Sequence, residues 1–124
     1  MLLNFSNHPL TKWDETQRAA AERQFGNIVD IKFPIIEPTA TLDEVKDIAD
    51  EYARKCQSML AEAEGNKPHA IHLMGEFTFT YQFVKKLEAL NVSCVASTTG
   101  RIVTENPDGS KTTIFKFVQF RRYF

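Results

Sequence analysis

From Leu42 to Ala63 the chain carries Leu42, Val45, Ile48, Ala49, Tyr52, Cys56, Met59, Leu60 and Ala63 at helical spacing, for about six turns at roughly 3.6 residues per turn. Thr41 and Glu44 form a capping box in front of it, and Gly65-Asn66 is a stop signal behind it. A short apolar run lies on either side. Ile28–Phe33 is closed by Pro34 and followed by a Pro-containing connector over 34–40, and Ala70–Leu73 is preceded by Pro68. Two strands joined through so long a helix do not meet in a tight hairpin. The connection that fits is a crossover between parallel strands.

The same alternation holds on both sides of this unit. Leu2–Phe5 reads as an opening strand. Thr11, with Asp14 as a loose capping box, then starts a helix whose apolar stripe is Trp13, Ala20, Ala21 and Phe25 and whose stop is Gly26. The stretch Glu76–Leu90 has a mixed signal. Phe77, Phe79, Tyr81 and Phe83 alternate like a strand, but Val84, Leu87 and Leu90 continue at helical spacing. Lys85-Lys86 and Asn91 are C-terminal helix signals, so a helix is predicted from about Glu76. Val92–Ala96 is the fourth strand. Arg101–Glu105 and Lys111–Arg122 flank the turn Asn106-Pro107-Asp108-Gly109 and predict a closing β-hairpin. The expected fold is one α/β domain over 1–124, a Rossmann-like three-layer sandwich with a mostly parallel βαβαβαβ sheet.

Charge and cysteine usage narrow the function. The net charge is −1, against the clearly basic balance of proteins that track long nucleic acid. Any anionic ligand is therefore expected to be small and held by local groups. Cys56 and Cys94 have no partners at metal-ligand spacing and read as free buried thiols in a reducing compartment. With no secretory signal pattern and no apolar run of membrane-spanning length, a cytoplasmic protein is expected.

Three strand ends concentrate polar side chains, at the edge of an open α/β sheet where ligands bind. At the first, Ser6-Asn7-His8 is followed by Pro9, which pushes His8 into an extended conformation. An imidazole so held suits proton transfer or a phosphate hydrogen bond, or else it caps the first helix. The second is Met74-Gly75-Glu76, with Thr78 close behind. A glycine before a helix N-terminus can offer backbone N–H groups to an anion. Glu76 would repel a phosphate there, but can accept from a ribose hydroxyl or an adenine amine, or act only on the helix dipole. The third, Ser97-Thr98-Thr99-Gly100-Arg101, reads either as a phosphodiester-binding loop with a bidentate guanidinium or as a polar turn between strands.

Other features weigh less. His69 and His72 are three apart on a strand, so they face opposite ways and do not make a metal pair, and His72 is a weaker candidate than His8. Phe115, Phe117, Val118 and Phe120 place apolar groups on both faces of the last strand, as burial on both sides or a subunit interface requires. From Gly100 to Phe124 five basic residues oppose two acidic ones, and aromatics beside arginines can stack on bases.

The opening Leu-Leu-Asn-Phe-Ser-Asn-His-Pro-Leu-Thr at 2–11, with Gln17 beyond it, resembles the start of small CRISPR-associated, ring-nuclease-like proteins of type III systems. The likeness covers about the first seventeen residues and is only architectural after them. It implies a Rossmann-type homodimer, needing no cofactor or metal, that binds cyclic tetra-adenylate across its two-fold axis. It further implies metal-independent cleavage of the messenger by attack of a ribose 2′-oxygen on the adjacent phosphorus. On that reading His8 moves the proton and Arg101 stabilises charge. Asn7, Thr98 and Thr99 orient the ligand, with Ser6, Gly75, Glu76, Thr78 and Ser97 around them. The alternatives are a non-catalytic sensor or sponge for the same messenger, or a small enzyme acting on a nucleotide or phosphorylated metabolite.

Overall fold

In the computed structural model, which describes residues 1–124, the chain runs β1 (Leu2–Ser6), a 3-10 turn (Leu10–Lys12), α1 (Glu15–Phe25), β2 (Ile28–Asp30) and α2 (Leu42–Ala61). It continues through β3 (Ala70–Met74), α3 (Phe77–Ala89), β4 (Cys94–Glu105) and β5 (Lys111–Arg122). The strands form one sheet in the order β2-β1-β3-β4-β5. All pairings are parallel except β4–β5, which is antiparallel. The fold is α/β.

Alternation along β1 divides the core in two. Leu3 and Phe5 enter the larger cluster, with Val45, Ala49, Ala53 and Cys56 of α2 and Phe79, Phe83 and Leu87 of α3. Leu2 enters the smaller one, with Trp13, Ala21 and Phe25. So α1 covers one face of the sheet, and α2 and α3 cover the other. Phe5 anchors the larger core: the rings of Phe33, Tyr52 and Phe83 each lie 5.1 Å from it, and Phe79 lies 5.8 Å away. Full burial of a ring such as Phe5, Phe79 or Phe83 contributes roughly 1.5–3 kcal/mol.

The mixed signal after Gly75 resolves as helix. Phe79, Phe83 and Leu87, four apart, are fully buried, while Phe77 and Tyr81, the residues that imitated strand alternation, are exposed. Asn91 adopts the left-handed conformation (φ 55°) just after α3, and Gly26 (φ 83°) ends α1. No helix is long and apolar enough to cross a membrane.

Several boundaries differ from the sequence reading. The N-cap of α1 is Asp14, whose carboxylate accepts from Gln17 N, while Thr11 lies in the preceding 3-10 turn. β2 stops at Asp30; Ile31 still donates to Asn4 O, but beyond it the chain leaves the sheet. α2 ends at Ala61, two residues before Ala63. The largest change is at Ser97–Arg101, which is strand throughout: the fourth strand and the first arm of the hairpin are one element, β4. Thr98 and Thr99 are β-branched and suit a strand.

β4 meets β3 only at Cys94 and Val95, but pairs with β5 along its whole length. Past Ala96 the two strands therefore continue without a third as a ribbon about 30 Å long, at roughly 3.3 Å per residue. Its near end still packs on α1 through Phe120, and its far end, 101–105 with 111–115, is exposed. Phe117 is buried, but Ile102, Val103, Ile114, Phe115 and Val118 are exposed, so burial on both faces is not found within one copy. Thr98 stands opposite Gln119 and Thr99 opposite Phe117, leaving Val118 as a bulge.

Candidate functional site

The strand order puts β2 and β3 on opposite sides of β1, so successive crossovers leave the sheet on different faces. In open α/β sheets, the crevice at the carboxyl ends of such a pair is where ligands sit. A cavity of about 640 Å³ lies there, at the ends of β1 and β3 and under the first turn of α1. This is within the size range of small-molecule sites. Its wall includes Ser6, Asn7 and His8 from the end of β1, Met74 and Gly75 from β3, and Ser97 and Thr99 from β4. Lys12, Trp13, Asp14 and Gln17 contribute from the entry to α1, and His72, Phe115 and Phe117 complete it. A second cavity of about 560 Å³ adjoins it on the β2 side, sharing Ser6 and Asn7 and adding Asp30 and Lys32.

The wall is built on an interior polar network. Asn4 is polar in mid-strand, on the same face as Leu2 and Ser6, and is buried with Ser6 and His72. Its Nδ2 donates to the His8 carbonyl at 2.7 Å and to Asp30 Oδ1 at 2.8 Å. Its Oδ1 accepts from Ser6 Oγ at 2.7 Å and faces His72 Nδ1 at 2.9 Å. Asp30 also takes the Leu10 amide with both carboxylate oxygens. The His8 carbonyl accepts from Trp13 Nε1 at 3.1 Å as well, and His8 N donates to Ser6 Oγ. The backbone of His8 is thus tied down from several sides while its side chain stays exposed. Asn7 N donates to Met74 O and joins the ends of β1 and β3.

Both Asn4 amide hydrogens are directed at acceptors, which fixes the amide orientation and leaves Oδ1 as an acceptor. His72 Nδ1 must then carry the hydrogen. Burial, aided by repulsion from His8, lowers the His72 pKa to about 4, so the ring is neutral. Trp13 and Phe120 meet the ring edge-on, with centroids 5.2 and 5.6 Å away. Its Nε2 has no partner in the protein.

The second strand end is occupied by packing and capping. A Cβ on Gly75 would lie 2.2 Å from Phe33 Cζ, so glycine here answers a close approach of an aromatic ring. Glu76 is the N-cap of α3: its carboxylate accepts from Phe79 N and from Thr78 Oγ1, both at 2.7 Å. The Phe79 amide above all holds its pKa below the usual carboxylate range. Glu76 and Thr78 satisfy each other outside the cavity wall.

At the third, Ser97 and Thr99 share the α1 face and line the cavity, with Ser97 Oγ donating to Met74 Sδ at 3.0 Å. Thr98 lies on the other face of β4 and donates to Gln119 O. Arg101 is exposed on the ribbon opposite Phe115 and is not part of the wall. Of the sequence-selected residues, the structure therefore gathers Ser6, Asn7, His8, Gly75, Ser97 and Thr99 about one hollow. It leaves Glu76, Thr78, Thr98 and Arg101 outside that wall. Lys12 is the one lysine or arginine in the wall.

Sequence reasoning passed over Asn4, Asp30, Lys12, Trp13 and Gln17 as site residues and ranked His72 below His8. One signal was available: a lone amide at the centre of an otherwise apolar strand. Cys56 and Cys94 are free and buried, and burial pushes the Cys56 thiol up to about 12 and that of Cys94 higher still. Neither is in the site.

One protein-family profile matches the chain, over residues 1–121, with the description "Uncharacterized protein MJ1673 family". No curated protein and no solved structure matches it.

Proposed function

The chain belongs to the MJ1673 family, and we propose that it is a cytoplasmic protein of type III CRISPR signalling that binds a cyclic oligoadenylate at the carboxyl ends of β1 and β3. The observation that carries this reading is the cavity at the point where the strand order reverses. Its wall of short hydroxyls and amides, one lysine and two phenylalanines suits hydroxyl, phosphate and base contacts together. The Rossmann-like three-layer description belongs with it, supported by helices on both faces of the mostly parallel sheet.

A four-nucleotide ring exceeds what one cavity of drug-ligand size encloses. A symmetric ring is completed by a second copy, and the exposed apolar side chains of the ribbon offer a surface for it. Phe115 belongs both to that surface and to the cavity wall.

Cleavage, on this reading, forms a bond from a ribose 2′-oxygen to the adjacent phosphorus and breaks the bond from phosphorus to the 5′-oxygen. The 2′-hydroxyl proton ends on the leaving oxygen, leaving a 2′,3′-cyclic phosphate. His8 is the ring placed to move that proton, a contribution of roughly 10²–10⁴-fold. The second reading is a binder without turnover. It is favoured by the position of Arg101 outside the wall, which leaves Lys12 as the nearest fixed positive charge for a phosphate.

Calorimetric titration with cyclic tetra-adenylate, followed by product analysis in EDTA, tests both. Micromolar or tighter binding with linear or cyclic-phosphate product, lost in His8→Ala while binding is kept, is expected for the enzyme. Retention without product identifies the binder. Absence of binding at 1 mM ligand, on the order of 4 kcal/mol of affinity, refutes the reading.

A further inference from the structure

We infer that His72 Nε2 is a fixed hydrogen-bond acceptor that the cavity presents to its ligand, so that the group seated against it is an N–H or O–H donor and not an ionised phosphate oxygen. The direction of every hydrogen bond behind the ring leads to this. Asn4 spends both amide hydrogens on His8 O and Asp30, so its oxygen can take a hydrogen from His72 Nδ1 and can give none. Ser6 Oγ converges on the same oxygen as a second donor. The tautomer with hydrogen on Nδ1 leaves a bare lone pair on Nε2.

That lone pair belongs to a residue that is 1 % exposed, lines the cavity and has no partner for Nε2 anywhere in the chain. An unpaired buried polar atom is costly, and such atoms in folded proteins call for an explanation. Here the explanation is a ligand. The ring cannot turn to find another partner, because Nδ1 is bonded to Asn4 and Trp13 and Phe120 pack edge-on against it. A phosphate or carboxylate oxygen at Nε2 would face lone pair against lone pair. The anionic part of a ligand is therefore directed elsewhere, toward Lys12 and the exposed end of the cavity at His8.

On the nucleotide reading proposed above, on which the donor's identity rests, two groups supply this chemistry: the exocyclic amine of adenine and a ribose hydroxyl. Nucleoside probes separate them and also separate this inference from the cyclic-messenger reading, since they carry no phosphate and no ring. Nitrogen-15 NMR of the histidines in the free protein is expected to show His72 protonated on Nδ1 and bare on Nε2 at pH 7. Adding millimolar adenosine is expected to shift the Nε2 resonance.

If the amine is the donor, 9-methyladenine reproduces the shift and purine riboside, which lacks the amine, does not. If a hydroxyl is the donor, purine riboside reproduces it and 9-methyladenine does not. His72→Phe is expected to weaken adenosine binding about tenfold, the loss of one hydrogen bond, and His72→Gln, which keeps an acceptor oxygen, to restore most of it. A proton on Nε2 in the free protein overturns the inference. So does an Nε2 resonance that adenosine leaves unmoved, or one that 9-methyladenine and purine riboside shift equally. Failure of cyclic tetra-adenylate to bind, with the adenosine shift intact, would instead remove only the cyclic-messenger reading.

Discussion

Replacing Gly75 by alanine adds one methyl group where there is no room for it. The new Cβ would stand 2.2, 2.4 and 2.7 Å from three atoms of the Phe33 ring, well inside any real carbon–carbon contact. Gly75 is not in the left-handed region, so the backbone accepts alanine and the whole penalty is steric. The Phe33 ring must move, and it is held 5.1 Å from Phe5 and 5.2 Å from Phe79 at the edge of the larger core. Overpacking of this kind costs about 1–3 kcal/mol. For a chain of this length that lowers Tm by roughly 4–12 °C. Urea unfolding of Gly75→Ala, Phe33→Ala and the double variant measures it as a cycle. Removing the ring first should make the alanine nearly free, giving a coupling of about 1–2 kcal/mol. A Gly75→Ala variant as stable as the wild type, or one whose cost is unchanged when Phe33 is absent, would refute the steric account.

Two further outcomes follow from the polar network and the ribbon. The folded-state pKa of His72 is depressed to about 4 from 6.5, so the unfolded chain takes up this proton first as pH falls. The stabilisation is fully present above pH 6.5 and is lost on descent toward pH 4. Between pH 7.5 and 4.5 the wild type should therefore lose roughly 2–3 kcal/mol more than His72→Phe in parallel urea titrations. Equal losses would contradict a neutral buried ring. In the ribbon, amides of 101–105 and 111–115 lack a third strand and should exchange with deuterium far faster than those of Leu3, Phe5 and Ile71 in a dilute, single-copy sample. Uniform protection across β4 would show that something covers the arm.

What could be read in advance tracks how local its cause is. The span of α2 is fixed by contacts three and four residues apart, and Gly26 and Asn91 end their helices by conformations set within one turn. These signals lie in consecutive residues, so the order of elements was legible. β4 was not, because an exposed ribbon carries no apolar alternation and Gly100 imitates a turn; its hypothetical Cβ would meet only Val118, at an ordinary 3.5 Å. The start of α1 was read at Thr11, and only the bond from Gln17 N to Asp14 moves the cap three residues on. The site divides the same way. Ser6, Asn7 and His8 are contiguous and stood out. Asn4, Asp30 and His72 meet across 26 and 68 positions, and nothing in the local sequence of Asp30 or His72 marks that encounter.

The position of β1 in the sheet order has a consequence for how the chain is made. Its neighbours on either flank, β2 and β3, are both synthesised after it, and the β3 flank is complete only at Met74. At about 5–20 residues per second, translation reaches that point on the order of 4–14 s after Leu2 is added. Until then this inner strand, second in the sheet order, is an apolar segment with an open side. A nascent-chain binding factor would find its target in the first strand, and synonymous codons that slow elongation before residue 74 should raise the fraction of product lost to misassembly.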